Sequence, residues 1–439
     1  MNKLYSILLK QHVGAVNEPV VSVGDEVKRG TLIAKPTGLG ANIYASVSGK
    51  IKEINEQAIV IEADEVQDET FEPLKGEGIL ELIEEAGIVG MGGAGFPTHI
   101  KLKTDLKGGT ILVNAAECEP LLAHNIQQIM DEPQKLYNGL KYAMEVTNAG
   151  KGVLAIKGKH KKAIEIFKSI IKPEDNIEVS ELVDMYPMGE ERAIIRDVLG
   201  KLLEPTQLPL EAGAVVINVE TLCRITEAVE QKRPVISKNI TVVGQLNPGK
   251  ESQVFMDVPI GSTVEELIEK AGGIKGKHGE VILGGPFTGK ATELETPITK
   301  TSGGIIVTME FVNEPRKMGL LVCACGPNEE RMRDIAHKMG VSDDKIVSVQ
   351  KCKQAVEVRG NLKSENPRHC PGQAQKCIEF KKAGAEVILI GNCTDCSNTV
   401  MGSAPKLKLG VYHITDHVMR TVNHPLIRRI KGDVRLKIK

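Results

Sequence analysis

The sequence contains no tryptophan, and aromatic residues make up only 3% of its 439 residues. Proteins that bind single-stranded nucleic acid stack bases on aromatic side chains, so this scarcity argues against a nucleic-acid partner. Net charge is nearly absent as well, because 56 basic residues are matched by 57 acidic ones. The chain has no overall attraction for polyanions or for an anionic membrane surface. We expect its partners to be small molecules or other proteins.

Long apolar runs are also missing. No stretch approaches eighteen consecutive apolar residues, and the N-terminal MNKLYSILLKQHVG lacks the pattern of a signal peptide. We therefore expect a cytoplasmic protein without membrane insertion. In such a protein, nine cysteines predict thiols, metal ligands or catalytic groups rather than structural disulfides.

Four segments with different patterns divide the chain, which is too long for one hydrophobic core. Residues 1–70 contain short strands separated by turns, and residues 75–232 alternate helical and strand patterns, as α/β domains with a mostly parallel sheet do. Residues 238–312 predict strands around one helix, and residues 318–439 alternate again. We predict an α/β multidomain protein whose last domain is rich in cysteine.

The segment GIVGMGGAGFPTHIKLK, residues 87–103, carries five glycines followed by two lysines. Glycine lets backbone approach a ligand closely or adopt positive φ, and it leaves amide groups free to bind an anion such as phosphate. The spacing matches neither the dinucleotide fingerprint nor the Walker loop. An ordinary flexible loop is the alternative interpretation.

GMGGAGFPTHIKLK resembles the flavin-binding loop of the complex I 51 kDa subunit and of the RnfC subunit. Three further motifs follow in the same order as in those families, namely NAAECEP at 114–120, YPMGEERAII at 186–195 and INVETL at 217–222. The complex I subunit has different residues at the positions of Met91 and Ala116, whereas the Rnf subunit resembles this chain at both positions. The resemblance implies an FMN site that NADH reaches.

The resemblance also implies the residues of that site. Glycines and a lysine would contact FMN, at Gly90, Gly92, Gly93, Gly95 and Lys101. The isoalloxazine and nicotinamide side would be lined by Asn114, Glu117 and Glu119. The pocket would be closed by Gly189, Glu190 and Glu191, and the phosphate end would be held by Asn218 and Thr221. The alternative interpretation is that these glutamates bind no ligand and lie on the solvent-exposed surface.

The same families suggest the neighbouring domains. VGDEVKRG and SVSGKI in residues 1–70 resemble the barrel-sandwich hybrid of biotinyl and lipoyl domains, but TGLGAN stands where those domains carry a modifiable lysine. Residues 238–312 are similar to the β-grasp (SLBB) domain that follows the Rossmann-like FMN-binding α/β domain. A docking or scaffold role is expected for the N-terminal domain.

Seven cysteines crowd the last domain, and five of them follow predicted strands: Cys323 and Cys325 in VCACG, Cys352 in SVQKC, and Cys393 and Cys396 in LIGNCTDC. The carboxyl ends of parallel strands share one edge of a sheet, so these thiols should converge. This pattern departs from the ferredoxin-type motifs of both families.

Three interpretations of the cysteines compete. In a redox dithiol relay, Cys393 and Cys396 form the favoured pair, because their spacing brings both sulfurs to a helix N-terminus. In a metal site, four of the seven bind an iron–sulfur cluster or zinc, with Cys370 and Cys377 as further ligand candidates. In the third, the cysteines are buried and inert.

An Rnf-like flavin region joined to a thiol-bearing tail resembles the PrdC family, the electron-transfer proteins associated with proline reductase. The function implied is NADH oxidation through FMN, followed by electron transfer through the tail thiols or a cluster to a reductase such as D-proline reductase. The alternative is a non-catalytic adaptor with a degenerate flavin site.

Overall fold

The computed structural model describes residues 3–247, 249 and 252–428. The last eleven residues of the predicted tail domain lie outside this range. No helix in the described ranges is long and apolar enough to cross a membrane.

The N-terminal region is built from two small antiparallel sheets. Strands β1, β7, β6 and β3 form one, and β2, β4 and β5 form the other. Apolar side chains such as Ile7, Ile33 and Ile61 point inward and are fully buried. The strands are β1 Leu4–Leu8, β2 Asn17–Pro19, β3 Glu26–Val27, β4 Leu32–Pro36, β5 Ile43–Tyr44, β6 Gly49–Ile54 and β7 Ala58–Ala63.

A parallel four-stranded sheet follows, in the order β10-β9-β8-β11. Strands β8, β9 and β11 are largely apolar runs because helices cover both faces of the sheet, whereas the edge strand β10 carries polar residues. The elements are α1 Ile79–Glu85, α2 Thr98–Leu102, β8 Thr110–Ala115, α3 His124–Asp131, α4 Pro133–Val146, β9 Lys151–Lys157, α5 Lys161–Ile170, β10 Ile177–Leu182, α6 Glu191–Leu199, β11 Ala214–Asn218 and α7 Val219–Gln231.

The third region is a mixed five-stranded sheet with one helix, in the order β13-β12-β16-β14-β15. Its helix begins where the sequence signal predicts, because the Thr263 side chain accepts a hydrogen bond from the Glu266 amide. The elements are β12 Ser237–Gly244, β13 Gln253–Pro259, α8 Val264–Lys270, β14 Val281–Leu283, β15 Lys290–Ala291 and β16 Gly304–Val307.

The tail is a second parallel sheet, in the order β18-β17-β21-β22, with a small hairpin inserted after β18. The predicted second α/β sheet is therefore confirmed. The elements are β17 Met318–Val322, α9 Glu329–Lys338, β18 Ile346–Lys351, β19 Ala355–Val358, β20 Asn361–Ser364, α10 Ala374–Lys382, β21 Val387–Ile390, α11 Thr394–Ser403, β22 Gly410–His413 and α12 Asp416–Thr421.

An ion cluster joins the tail to the third region. The buried carboxylate of Glu280, just before β14, pairs with Arg331, with Lys338 at 2.8 Å and with His417 at 2.9 Å. Burial alone would raise the pKa of Glu280, but hydrogen bonds from His417 and Arg331 outweigh it and hold that pKa well below its usual value. The carboxylate therefore stays charged and fixes one region against the other.

Candidate functional site

The glycine loop, residues 90–95, joins α1 to α2. Gly95 has a φ of +75°, a conformation that L side chains rarely adopt. A Cβ atom at Gly92 would lie only 2.5 Å from Nδ2 of Asn218. The loop therefore packs against the start of α7 at a distance that only glycine permits.

Two cavities meet at this loop. The first, of about 450 Å³, extends to Lys101, Glu190 and Glu191. The second, of about 920 Å³, extends to Glu117, Glu119 and the third region. Both cavities are lined by Gly92, Gly93, Ala94, Asn114, Gly189 and Asn218. The structure thus brings all thirteen predicted cofactor-binding residues to the walls of two adjoining cavities.

The first cavity is suited to an anion. Helices α6 and α7 begin at its wall, with Glu190 and Asn218 as their N-cap residues. Helix N-termini carry partial positive charge and attract phosphate. The Lys101 ammonium lies on the same wall, where it pairs with Oε1 of Glu191 at 2.7 Å.

Two of the predicted ligand residues also shape the loop and its surroundings. The Thr221 hydroxyl accepts a hydrogen bond from the Met91 amide at 3.0 Å and donates one to the Val89 carbonyl at 3.3 Å. The Asn114 amide donates to the Gly189 carbonyl at 2.9 Å. Thr221 was expected at the phosphate end, but its hydroxyl is engaged by the backbone that leads into the glycine loop.

The two glutamates of NAAECEP behave differently. Glu119 was expected beside the nicotinamide, but its carboxylate accepts hydrogen bonds from the amides of Phe287 and Thr288 and from the Thr288 hydroxyl, at 2.6–2.9 Å. Glu117 has a φ of +39°, and its Oε2 atom is buried without a hydrogen-bond partner. Burial raises the pKa of both carboxyls. Glu119 therefore joins two regions, whereas Glu117 keeps an acceptor for a ligand.

These residues fit FMN. The glycine loop has no side chains to obstruct close approach, and the lysine with two helix N-termini can receive the phosphate. Asn114 and Glu117 offer polar groups suited to hydroxyl and ring-nitrogen partners. The fit rests on the close packing at Gly92 and on the unpaired oxygen of Glu117.

The tail brings six thiols together in a second feature, which we call the thiol pocket: Cys323, Cys325, Cys352, Cys370, Cys393 and Cys396. Strands β17, β18 and β21 are parallel, and their carboxyl ends deliver five of these residues to one edge. The predicted convergence is confirmed. Cys370 arrives from the loop before α10 and was not part of that prediction.

Cys377 was considered a further ligand, but it does not line the thiol pocket. It lies on α10 and is fully buried against the apolar cluster that contains Phe380 and Leu321. Burial raises its pKa to about 11. In the described part of the chain, no set of three or more His, Cys, Asp or Glu side chains is arranged to hold a metal ion.

Thiols in the pocket differ in acidity because each interacts with particular neighbours. Contacts with Cys325 and Cys396 lower the pKa of Cys393 to about 5. Cys393 is also the N-cap of α11, where the helix favours a thiolate. The pKa of Cys396 is raised, because Cys323, Cys370 and Cys393 are all close to it. The expected Cys393 and Cys396 pair is therefore in contact at a helix N-terminus.

One segment touches both the cavities and the thiol pocket. Gly189 lines both cavities, and three residues earlier the Tyr186 hydroxyl donates to the Cys325 carbonyl at 2.6 Å. The Tyr186 backbone also pairs with Thr394, which follows Cys393. Segment 186–189 therefore connects the predicted flavin site to the thiols.

Sequence reasoning missed three residues of this region. Tyr186 stands in YPMGEERAII, a motif in which only the glycine and the glutamates were predicted to matter. Arg192, in the same motif, lines the first cavity and has a buried Nη1 atom without a hydrogen-bond partner. Cys118 is about 200 residues away from the tail cysteines in the sequence, yet it packs against the apolar cluster that contains Cys393 and Cys396. The motif that carries Cys118 was the available signal.

Comparison with known proteins agrees with this geometry. Residues 83–227 match the Nuo51 FMN-binding domain, and residues 1–70 match the RnfC barrel sandwich hybrid domain. The chain thus carries an FMN-binding domain of the 51 kDa type and an N-terminal barrel-sandwich hybrid. FMN is the cofactor that this assignment gives to the cavities.

Several curated proteins are similar over long stretches. The C subunit of the proton-translocating ferredoxin:NAD(+) oxidoreductase complex of Clostridium ljungdahlii is 37% identical over 339 residues, which cover 72% of this chain and 73% of the relative. Its counterpart in the Na(+)-translocating complex of Acetobacterium woodii is 32% identical over 68% of this chain and 72% of the relative. Cobalamin reductase PduS of Salmonella typhimurium is 39% identical over 53% of this chain, which spans half of that relative.

These relatives are oxidoreductase components, two of them named for NAD(+), so the expectation of FMN with NADH is supported. The identity to the two ferredoxin:NAD(+) oxidoreductase components extends beyond the FMN-binding segment to most of both chains. The chain belongs to the RnfC family of ferredoxin:NAD(+) oxidoreductase components.

Proposed function

We propose that this protein is an electron-transfer flavoprotein that oxidises NADH at FMN and passes the electrons through the tail thiols to a reductase such as D-proline reductase. The observation that carries the proposal is segment 186–189, which lines the cavities at Gly189 and contacts the thiol pocket at Tyr186. Relatives named as NAD(+) oxidoreductases and as a cobalamin reductase support an electron-transfer role. The reductase partner rests on the resemblance of the tail to PrdC.

The chain's residues have distinct tasks in this proposal. Lys101 and the N-termini of α6 and α7 would hold the phosphate of FMN, and the glycine loop would let the cofactor approach the backbone closely. Glu117 accepts a hydrogen bond from the ligand at its unpaired oxygen. Bound FMN supplies two-electron acceptance from NADH, and the protein sets its position and surroundings.

We further propose four domains with the boundaries 1–70, 75–232, 238–312 and 318–439. The third is assigned as a β-grasp (SLBB) domain on the basis of its mixed sheet and single helix. The Glu119 carboxylate and the Glu280 ion cluster hold this domain between the flavin domain and the tail. Such a position keeps the two functional sites at a fixed separation.

An anaerobic absorption spectrum tests the proposal. The protein is purified, oxidised so that the tail thiols form disulfides, incubated with FMN, desalted and mixed with NADH. We expect a flavin spectrum that bleaches on NADH addition, together with an increase in titratable thiols that requires FMN. A protein that retains no flavin after the incubation would contradict the proposal and favour a non-catalytic adaptor.

A further inference from the structure

We infer that the thiol pocket is a disulfide relay, in which Cys325 is the entry from the flavin side and Cys370 is the exit that reduces a disulfide of a partner molecule. The inference rests on the proposed function only for its electron supply. It assigns Cys370 a role in thiol exchange and names the class of acceptor.

The order of the relay follows from contacts between neighbouring sulfurs. Cys325, Cys393, Cys396 and Cys370 line one small cavity, in which Cys325 adjoins Cys393 and Cys393 adjoins Cys396. The side-chain amide nitrogen of Gln373 lies 3.4 Å from Sγ of Cys370 and 3.7 Å from Sγ of Cys396, so these two sulfurs are neighbours as well. Thiol exchange passes between sulfurs in contact, so these four residues form a continuous path. Cys323 contacts both Cys325 and Cys396 and so offers a second route around Cys393, with Cys352 as a side branch beside Cys323.

The two ends of the path face different surroundings. At one end, the Cys325 carbonyl accepts the Tyr186 hydroxyl, and Cys325 packs in the same apolar cluster as Cys118 and Phe287. At the other end, Cys370 is half-buried and follows the exposed His369. Cys393 and Cys396, between them, are buried. Electrons therefore enter from the flavin domain and leave beside His369.

The groups around Cys370 favour its thiolate form. Its sulfur accepts hydrogen bonds at 3.4 Å from the Gly372 amide and from the Gln373 side chain, and it lies 3.5 Å from the Thr399 hydroxyl. Contact with Cys396 and these donors lowers the pKa of Cys370 to about 7. A thiol whose pKa is close to ambient pH is the best attacking group in disulfide exchange.

The chemistry balances as successive exchanges. The Cys370 thiolate attacks one sulfur of the partner disulfide, and the other partner sulfur leaves as a thiolate. Cys396 then attacks Sγ of Cys370, which forms the Cys370–Cys396 disulfide and releases the second partner thiol. Cys393 attacks Cys396 and Cys325 attacks Cys393, so the disulfide moves inward while Cys370 and Cys396 return to thiols.

Two electrons and two protons delivered from the flavin side reduce the resulting Cys325–Cys393 disulfide. The sum is NADH, one proton and one partner disulfide giving NAD+ and two partner thiols. The oxidant is the partner disulfide, and the reductant is NADH from the proposed function.

A trapping experiment tests the exit without NADH. The full-length protein is reduced with dithiothreitol, desalted anaerobically and mixed with dithiobis(nitrobenzoate) as the partner disulfide. In Cys396→Ser, Cys370 cannot be resolved by its neighbour, so we expect a stable mixed disulfide with thionitrobenzoate at Cys370, located by peptide mass spectrometry. Cys377→Ser is the matched control and should carry no adduct at Cys370. An adduct in Cys396→Ser that avoids Cys370 overturns the inference.

Turnover with NADH tests the relay as a whole. We expect Cys370→Ser to lower NADH-dependent reduction of dithiobis(nitrobenzoate) by about 100-fold, because the attacking sulfur is gone. Ferricyanide reduction by NADH, which reports the flavin alone, should stay at the wild-type rate, and Cys377→Ser should match wild type in both assays. Unchanged disulfide reduction in Cys370→Ser overturns the inference. Loss of ferricyanide reduction in the wild-type protein contradicts the proposed function instead, and the trapping experiment still decides the exit.

Discussion

The hydroxyl of Tyr186 donates a 2.6 Å hydrogen bond to the main-chain carbonyl of Cys325. This bond joins the motif that closes the first cavity to the first strand end of the thiol pocket. Tyr186 is buried and stacks on Phe287, with ring centroids 3.6 Å apart. The contact therefore fixes the entry thiol against the flavin domain through both polar and apolar interactions.

Replacing Tyr186 by phenylalanine should disturb this junction without disturbing the cavities. The ring stacking is retained, but the partly buried Cys325 carbonyl loses its donor, at a cost of about 1 kcal/mol in folding free energy. We expect NADH-dependent ferricyanide reduction to be unchanged and NADH-dependent appearance of tail thiols to slow. Tyr142→Phe, which removes a surface hydrogen bond to Glu230, is the control and should leave both rates unchanged.

The thiol pocket shows how far sequence reasoning reaches. Strand ends and parallel order were sufficient to predict that Cys323, Cys352 and Cys393 converge, since a parallel sheet has one carboxyl edge. Cys370 lies in a loop, and a loop has no sequence periodicity from which its position in the fold could be predicted. Cys377 is a further ligand candidate in the sequence, but its position on the buried face of α10 keeps it out of the thiol pocket.

Gly92→Ala should weaken the glycine loop. The new Cβ would lie 2.5 Å from Asn218 Nδ2, so the loop or the start of α7 has to move. We expect a lower melting temperature for the FMN-free protein and a flavin dissociation constant at least about tenfold higher. Gly93→Ala meets no atom within 4 Å and should keep the wild-type melting temperature. If both variants melt alike, the close packing at Gly92 does not stabilise the loop.

The residues of the flavin motifs line the two cavities, but the structure gives some of them other partners than the motifs suggest. Glu119 and Thr221 line the cavities as expected, yet their polar atoms bind backbone groups of residues 89–91 and 287–288. A sequence motif indicates which residues surround a site. Which of their polar atoms remain available to a ligand depends on hydrogen bonds to residues far away in the sequence. The fold class could be predicted because the periodicity of strands and helices is a local pattern, whereas these long-range hydrogen bonds leave no local pattern.

Lys101→Met should reduce affinity for the phosphate of the flavin. The lysine lines the first cavity beside two helix N-termini, and its ion pair with Glu191 is partly exposed and adds little to stability. We expect FMN to bind about tenfold more weakly while riboflavin, which lacks the phosphate, binds as before. Lys103→Met removes an exposed charge two residues away and is the control. An equal loss for riboflavin would mean that Lys101 contacts another part of the ligand.

Glu280→Gln should lower stability in a way that depends on pH. The folded pKa of Glu280 lies well below its unfolded value of about 4.3, so its contribution is complete above that pH and is lost progressively as the pH falls from there to the folded pKa. Near neutral pH the variant leaves Arg331 and Lys338 without their buried partner, and we expect a loss of about 3 kcal/mol. The difference from wild type should shrink below about pH 4.

Urea unfolding at several pH values measures this effect, with Glu357→Gln as the control. The Glu357 pair with Lys351 is exposed, so its loss should change stability little at any pH. A Glu280→Gln deficit that stays constant down to acid pH would show that the loss comes from packing rather than from charge. Because the Glu280 cluster joins the tail to the third region, the variant should also loosen the tail, and limited proteolysis is expected to cleave near residue 312 first.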